Sequence, residues 1–69
     1  MPLSDGQRES MKKKRAAILT AATNLFATLG FEGTTIKKVS EAANVSFGSV
    51  FTYFKDKETL FYAVVVEPI

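Results

Sequence analysis

The feature that most constrains the fold is a break in helical periodicity at Asn44, between two short segments with apolar faces. Before the break, Ile36, Val39 and Ala43 recur at the spacing of one helical face. Asparagine is one of the few non-glycine residues that tolerate positive φ, so Asn44 can turn the chain sharply. Val45, within the turn, can fill the angle between two helices. The sequence therefore predicts two short helices joined by a turn of about three residues, which is a helix-turn-helix.

A longer helical pattern precedes this unit and extends over about residues 10–29. Gly30 follows it and supplies the left-handed conformation that helices favour at their C-terminal end. Residues 1–9 lack periodicity and contain Pro2 and Gly6, so we expect a flexible N-terminal arm there. The remaining residues, 10–69, are expected to form one domain. The apolar residues that share one face of the long helix are Ile18, Ala22, Leu25, Phe26 and Leu29.

Side chains suited to helix caps mark the other helices, because a hydroxyl or carboxylate can accept from the first backbone N–H groups. The small residue Ser40 permits a close crossing of the second and third helices. The expected fold is all-α: a helix-turn-helix bundle of three helices plus the start of a fourth. The predicted caps and spans are Thr34 or Thr35 before residues 36–43, Ser46 before residues 47–53, and Asp56 before a fourth helix that ends at Pro68.

The 69-residue composition excludes several classes of function. The chain has no cysteine and no histidine, so thiolate metal sites and a histidine general base are absent. We therefore expect no metal, no cofactor and no enzyme activity. No apolar run approaches the ~18 residues of a membrane span, so we expect no membrane partner.

The third predicted helix has two contrasting groups of residues when placed at about 100° per residue. Val50, Phe51 and Phe54 form an apolar group that we assign to the core. The opposite group is small and polar, and its hydroxyls could bond to base edges in the major groove of DNA. A merely solvated helix face remains the alternative. Phe47 has two open interpretations, as core or as a ring leaning onto a thymine methyl. The small polar group consists of Gly48, Ser49, Thr52 and Tyr53.

Residues 14–64 resemble the N-terminal DNA-binding domain of the tetracycline-repressor (TetR) family of transcriptional regulators. The resemblance rests on "LFATLGFEGTT", "ANVSFGSVFTYF" and "KDKETL". It implies a homeodomain-like bundle that binds double-stranded operator DNA. It also implies a cytoplasmic, nucleoid-associated homodimeric protein that acts as a ligand-responsive repressor, with a small-molecule inducer bound by a C-terminal body beyond Ile69. Family members often have a polar or basic residue at the position of Phe47 and usually a tyrosine at that of Phe51.

The candidate DNA contacts fall into two sets. Lys57 opens the fourth helix, where the helix dipole disfavours a cation, so another use for it is indicated. A lysine beside free amides can hold a phosphate, and the resemblance implies that contact. The alternative is an ordinary surface lysine. The predicted base or groove set is Ser46, Phe47, Gly48, Ser49, Thr52 and Tyr53. The predicted phosphate set is Thr35, Lys37, Lys57, Lys13 and Lys14, with Lys38 able to act like Lys37.

A second function class stays open, a small helical protein-interaction module. It would present Phe61, Tyr62 and residues 64–66 to a protein partner. Salt-dependent affinity for DNA would distinguish the two classes, because phosphate contacts release counterions.

Overall fold

The structure, a computed structural model, describes residues 5–67 as four α-helices with no strand among them. The all-α helix-turn-helix prediction is confirmed, and the second and third helices have the predicted bounds. The helices are α1 (Asp5–Gly33), α2 (Ile36–Ala43), α3 (Phe47–Tyr53) and α4 (Lys57–Val66).

Helix α1 begins earlier than the sequence predicted, at Asp5 and not near residue 10. Residues 5–9, assigned to a flexible arm, are therefore helical. Gln, Arg and Glu at positions 7–9 are good helix formers, and lengthening an existing helix avoids the cost of nucleation. Residues 1–4 lie outside the described residues, and so does Pro68, the predicted end of the fourth helix.

The end of α1 is shaped by Gly30, which has φ 77° and ψ 172°. The predicted positive φ is confirmed, although ψ is extended and not left-handed helical. The kink sends the chain into a single turn over residues 31–33. The side chain of Thr34 is fully buried behind it, and its hydroxyl donates to the Gly30 carbonyl at 2.8 Å. Thr35, and not Thr34, therefore caps α2.

The core lies between α1 and the other three helices, which all pack against it. Each helix contributes one large aliphatic side chain that is fully buried: Ile18, Val39, Val50 and Leu60, respectively. Leu29, placed on the apolar face of the first helix by the sequence, is exposed because it lies in the last turn before the kink. The other buried apolar residues are Leu19, Ala21, Ala22, Phe26, Phe54 and Ala63.

Helix α4 lies antiparallel to α1. Near the start of α4, Lys57 donates to the carbonyl of Phe31 at the end of α1. At the other end of α4, both carboxylate oxygens of Glu67 accept from the guanidinium of Arg15 at 2.8 Å. Between these ends, the ring of Phe61 contacts those of Phe26 and Phe31, with centroids 5.0 and 5.3 Å away. These contacts set the position of α4 on α1.

Candidate nucleic-acid interface

The turn between α2 and α3 is built on Asn44, which has φ 59° and ψ 44°. Its N–H donates to the carbonyls of Ser40 and Glu41, and the N–H of Val45 donates to the Ser40 carbonyl at 3.0 Å. Ser40 is buried, and its hydroxyl donates to the carbonyl of Lys37 at 2.8 Å. The sharp turn at Asn44 and the small residue at the crossing are both as predicted.

Helix α3 begins at a serine cap. Ser46 Oγ accepts from the N–H of Ser49 at 3.2 Å, and the two serine hydroxyls are hydrogen-bonded at 2.6 Å. Ser46 is exposed and Ser49 is half-buried. One of the two hydroxyls donates its proton to the other. Each therefore keeps only part of its hydrogen-bonding capacity for another partner.

The buried face of α3 differs from the face that the sequence predicted. Val50 and Phe54 are buried, as expected, but Tyr53 is half-buried and packs against the core. Phe51, assigned to the core, is exposed. Successive residues are about 100° apart around the helix axis, so Phe51 is turned about 100° away from Val50. The core faces the side of α3 between Val50 and Tyr53, and Phe51 therefore points away from the core. The outward face of α3 therefore consists of Phe47, Gly48, Phe51 and Thr52.

Phe47 and Phe51 form an aromatic pair on this outward face. Their rings are 54% and 44% exposed and meet edge to face, with centroids 5.2 Å apart and planes at 70°. The open question about Phe47 is answered, because it is not part of the core. The spacing of four residues is the signal that could have revealed the pair, since such residues are neighbours on a helix surface.

Lys57 lies at the start of α4, beside the turn over residues 31–33. Its ammonium donates to the carbonyl of Phe31 at 2.8 Å and lies 4.1 Å from the centre of that ring. The group is therefore held by the protein and retains two N–H donors for other partners. Asp56 caps the same helix by accepting from the N–H of Thr59 at 2.7 Å. The hydrogen bond from the Thr59 backbone lowers the pKa of Asp56.

The start of α2 reaches the same turn. Thr35 Oγ1 accepts from the N–H of Lys38 at 3.1 Å, and the Lys38 ammonium donates to the carbonyl of Gly33, also at 3.1 Å. Lys37, which precedes Lys38 in the helix, is exposed. The structure thus brings Thr35, Lys37 and Lys57 to one region, where Lys38 and Lys57 both donate to carbonyls of the turn.

Lys13 and Lys14 lie apart from that region. Both are exposed on α1, and Lys14 is about 22 Å from Leu29 along the helix axis, at 1.5 Å per residue. Their neighbour Arg15 points toward the end of α3, where its guanidinium covers the ring of Phe54 at 5.0 Å. The predicted phosphate contacts therefore form two groups, one near the end of α1 and one in its early part.

The described part of the chain offers little for other chemistry. No group of three or more acidic, histidine or cysteine side chains within residues 5–67 could hold a metal ion. A shallow open groove between α1 and α2 is lined mainly by small side chains, including Ala17, Ala21 and Ala42. No helix in this part of the chain is long and apolar enough to cross a membrane.

Residues 18–64 match the sequence model of "Bacterial regulatory proteins, tetR family". The chain is 37% identical over 67 residues to the HTH-type transcriptional repressor AcnR of Corynebacterium diphtheriae, covering 97% of this chain and 34% of that protein. It is 40% identical over 55 residues to the HTH-type transcriptional regulator RutR of Escherichia coli K12, covering 80% and 26%. The chain thus spans about a quarter to a third of these relatives. No solved structure gives a significant match.

Proposed function

Because the chain belongs to the tetR family of bacterial regulatory proteins, we propose that it is the sequence-specific DNA-binding domain of a transcriptional regulator. The observation that carries this proposal is the outward face of α3. The Asn44 turn fixes α3 against α2, and one side of α3 stays free of the core. In helix-turn-helix proteins the second helix of the unit lies in the major groove.

Base contacts are assigned to the start and the outward face of α3. Gly48 leaves the backbone accessible, since no atom lies within 4 Å of a Cβ added there. Thr52 can offer a hydroxyl and a methyl group to base edges. Tyr53 is half-buried, so its contribution is limited to the exposed part of the ring and its hydroxyl. The remaining members of the set are Ser46, Phe47 and Ser49.

Phosphate contacts are assigned to two groups of side chains outside α3. The starts of α2 and α4 supply Thr35, Lys37 and Lys57 beside the turn over residues 31–33. The early part of α1 supplies Lys13 and Lys14. Contacts to phosphates fix the orientation of a protein on DNA without reading sequence. Two separate groups of contacts would hold α3 in a defined register in the groove.

The intact protein is proposed to act as a cytoplasmic, nucleoid-associated homodimer that binds a two-fold operator. The remainder of the protein would supply the dimer contacts and a site for a small-molecule inducer. AcnR of C. diphtheriae is named a transcriptional repressor, which supports repression over activation here. Operators read by such dimers have half-sites about 34–36 Å apart.

Gly48 gives a direct test of the DNA-binding face. A Cβ at this position meets open space, so Gly48→Glu and Gly48→Gln should both leave the melting temperature intact or raise it. The glutamate adds one negative charge to the proposed DNA surface, which should weaken binding about tenfold per subunit near 0.1 M salt. Gly48→Gln, of equal size and neutral, is the matched control. Equal affinities of the two variants for a duplex selected by the intact protein would contradict the proposal.

A protein-interaction function is the second candidate, supported by the exposed apolar residues of α4. Phe61, Tyr62, Val65 and Val66 are all exposed. In a longer protein these residues can pack against the remainder of the chain, so their exposure fits both functions. The DNA-binding function would be favoured if the chain binds DNA and the logarithm of its affinity falls linearly with the logarithm of the salt concentration. Binding to a protein partner with no affinity for DNA would favour the second.

A further inference from the structure

The aromatic pair of Phe47 and Phe51 is not explained by the stability of the domain. Neither ring belongs to the core, and each leaves about half of its surface exposed. The edge-to-face contact with centroids 5.2 Å apart orients the two rings together as one apolar surface. Burial of apolar surface against a partner is favourable, so these rings gain from contact with one.

The surroundings of the pair indicate a partner that comes close to the helix. Gly48 lies beside the pair on the outward face and offers open space in place of a side chain. Thr52 follows Phe51 on the same face and is exposed. A partner can therefore approach the backbone of α3 while the two rings contact it from one side.

The chemistry of base edges selects one apolar group. In the major groove, thymine alone among the four bases presents a methyl group, at C5. Helix α3 has the sequence FGSVFTY, without the Arg, Lys, Asn or Gln side chains that make bidentate contacts with bases. The aromatic pair is consequently the largest contact surface on its outward face.

We infer that Phe47 and Phe51 read thymine methyl groups, and that the operator of this protein carries thymine at the base positions facing them. This inference rests on the proposed DNA-binding function and specifies its ligand. The two rings act as specificity-determining residues through apolar contact. Cytosine at the same position lacks the methyl group and presents an amino group to the rings, so it is disfavoured.

Deoxyuridine provides the test, because it lacks only the C5 methyl group of thymidine and keeps its base pairing. A duplex is first selected from a random pool by the intact protein, and each thymine of a half-site is then replaced singly. Removal of a contacted methyl should weaken binding about four-fold, equivalent to the ~0.8 kcal/mol of one buried methyl-sized group. One or two positions in each half-site should show this loss.

Variants of the two rings complete a double-mutant cycle. At the base position that a ring contacts, the variant lacking that ring (Phe47→Ala or Phe51→Ala) should bind the thymine duplex and the uracil duplex with equal affinity. The reason is that the effects of removing the ring and removing the methyl group are not additive when the two groups are in contact. Leu29→Ala is the matched control, since Leu29 is as exposed as Phe51, at 44%, but lies on α1. It should keep the four-fold preference for thymine.

Three results separate the possible failures. If the wild-type protein binds every uracil-substituted duplex as tightly as the thymine duplex, the inference is wrong, and this measurement needs no variant. Retention of the thymine preference in both phenylalanine variants would also overturn it. If the intact protein selects no duplex from the pool, the proposed function fails first. If the two phenylalanine variants lose self-association but keep the preference for thymine, Phe47 and Phe51 belong to a protein contact and the inference is wrong.

Discussion

Replacement of Lys57 by methionine would distinguish its two contacts, one within the protein and one proposed to DNA. Methionine keeps an unbranched stem of similar length and removes the charge. The variant loses the hydrogen bond from the ammonium to the Phe31 carbonyl and the contact with the ring 4.1 Å away. A net hydrogen bond contributes about 1 kcal/mol and a partly exposed cation–π contact about 0.5–1 kcal/mol. We therefore expect the free energy of unfolding to fall by ~1–2 kcal/mol.

The effect on DNA binding should be separate from this loss. Each phosphate contact contributes about 0.9 to the slope of log affinity against log salt, so a dimer lacking two should bind with a slope smaller by about 1.8. The loss should be equal on operator and random duplexes, because phosphates carry no sequence information. Fluorescence anisotropy of the intact protein across a series of salt concentrations measures both quantities, and urea unfolding measures stability.

Lys57→Arg is the control, because it keeps the charge and should retain the salt slope. A lower stability of Lys57→Met with an unchanged salt slope would refute the phosphate contact. In that case Lys57 would serve only to hold α4 against the turn at the end of α1. If the slope of log affinity against log salt is smaller in both Lys57→Met and Lys57→Arg, the contact requires the shape of the lysine ammonium as well as its charge.

Three further predictions follow from the same geometry. Ser49→Leu should leave the salt slope unchanged and reduce the preference for operator over random DNA by about 1–3 kcal/mol, measured by competition binding. Phe47→Arg should shift operator preference toward guanine with little change in melting temperature, whereas Phe54→Ala in the core should cost about 3–5 kcal/mol of stability. The hydrogen bonds from Arg15 lower the pKa of Glu67 below its ordinary value of about 4.3, so their stabilising contribution is complete above that pH. It should disappear as the pH falls through the lowered pKa, and Glu67→Gln should remove this part of the acid dependence in urea unfolding.

Local chemistry explains why the helix-turn-helix could be predicted from the sequence. The caps at Thr35, Ser46 and Asp56 depend on side chains that bond to amides three residues away. Asn44 depends only on its own tolerance of positive φ. Such interactions join residues that lie within one helical turn of each other in the sequence. The local sequence is therefore enough to predict where each helix begins. This is why α2 and α3 have the predicted bounds.

The surface of α3 could not be predicted in full, because it depends on contacts between distant segments. A helical wheel gives the angles between residues, but the packing of α3 against the other helices decides which angle faces the core. For this reason Phe51 and Tyr53 exchanged the roles that the sequence assigned to them. Lys57 was correctly placed at the start of a helix, but its contact with Phe31 joins residues 26 positions apart and has no local signal.

The attachment of α4 to the rest of the domain weakens along its length. Leu60, in its first half, is fully buried, whereas Val65 and Val66 are exposed. In the last turn Ala63 is buried and Val64 is half-buried, and the end of the helix is further held by the ion pair of Glu67 with Arg15, whose side chains are 40% and 39% exposed. Exposed ion pairs contribute little to stability and are screened by salt.

The free energy of local unfolding in α4 is therefore expected to decrease from Leu60 toward the end of the helix. Amide protons in its last turn should exchange with deuterium through local opening, while those near Leu60 exchange only when the whole domain unfolds. Unwinding of the residues after Ala63 leaves Leu60, Ala63 and the buried side chains of the other three helices in place. A chain that continues past Glu67 can thus change direction at the end of α4 while α3 keeps its position on the core.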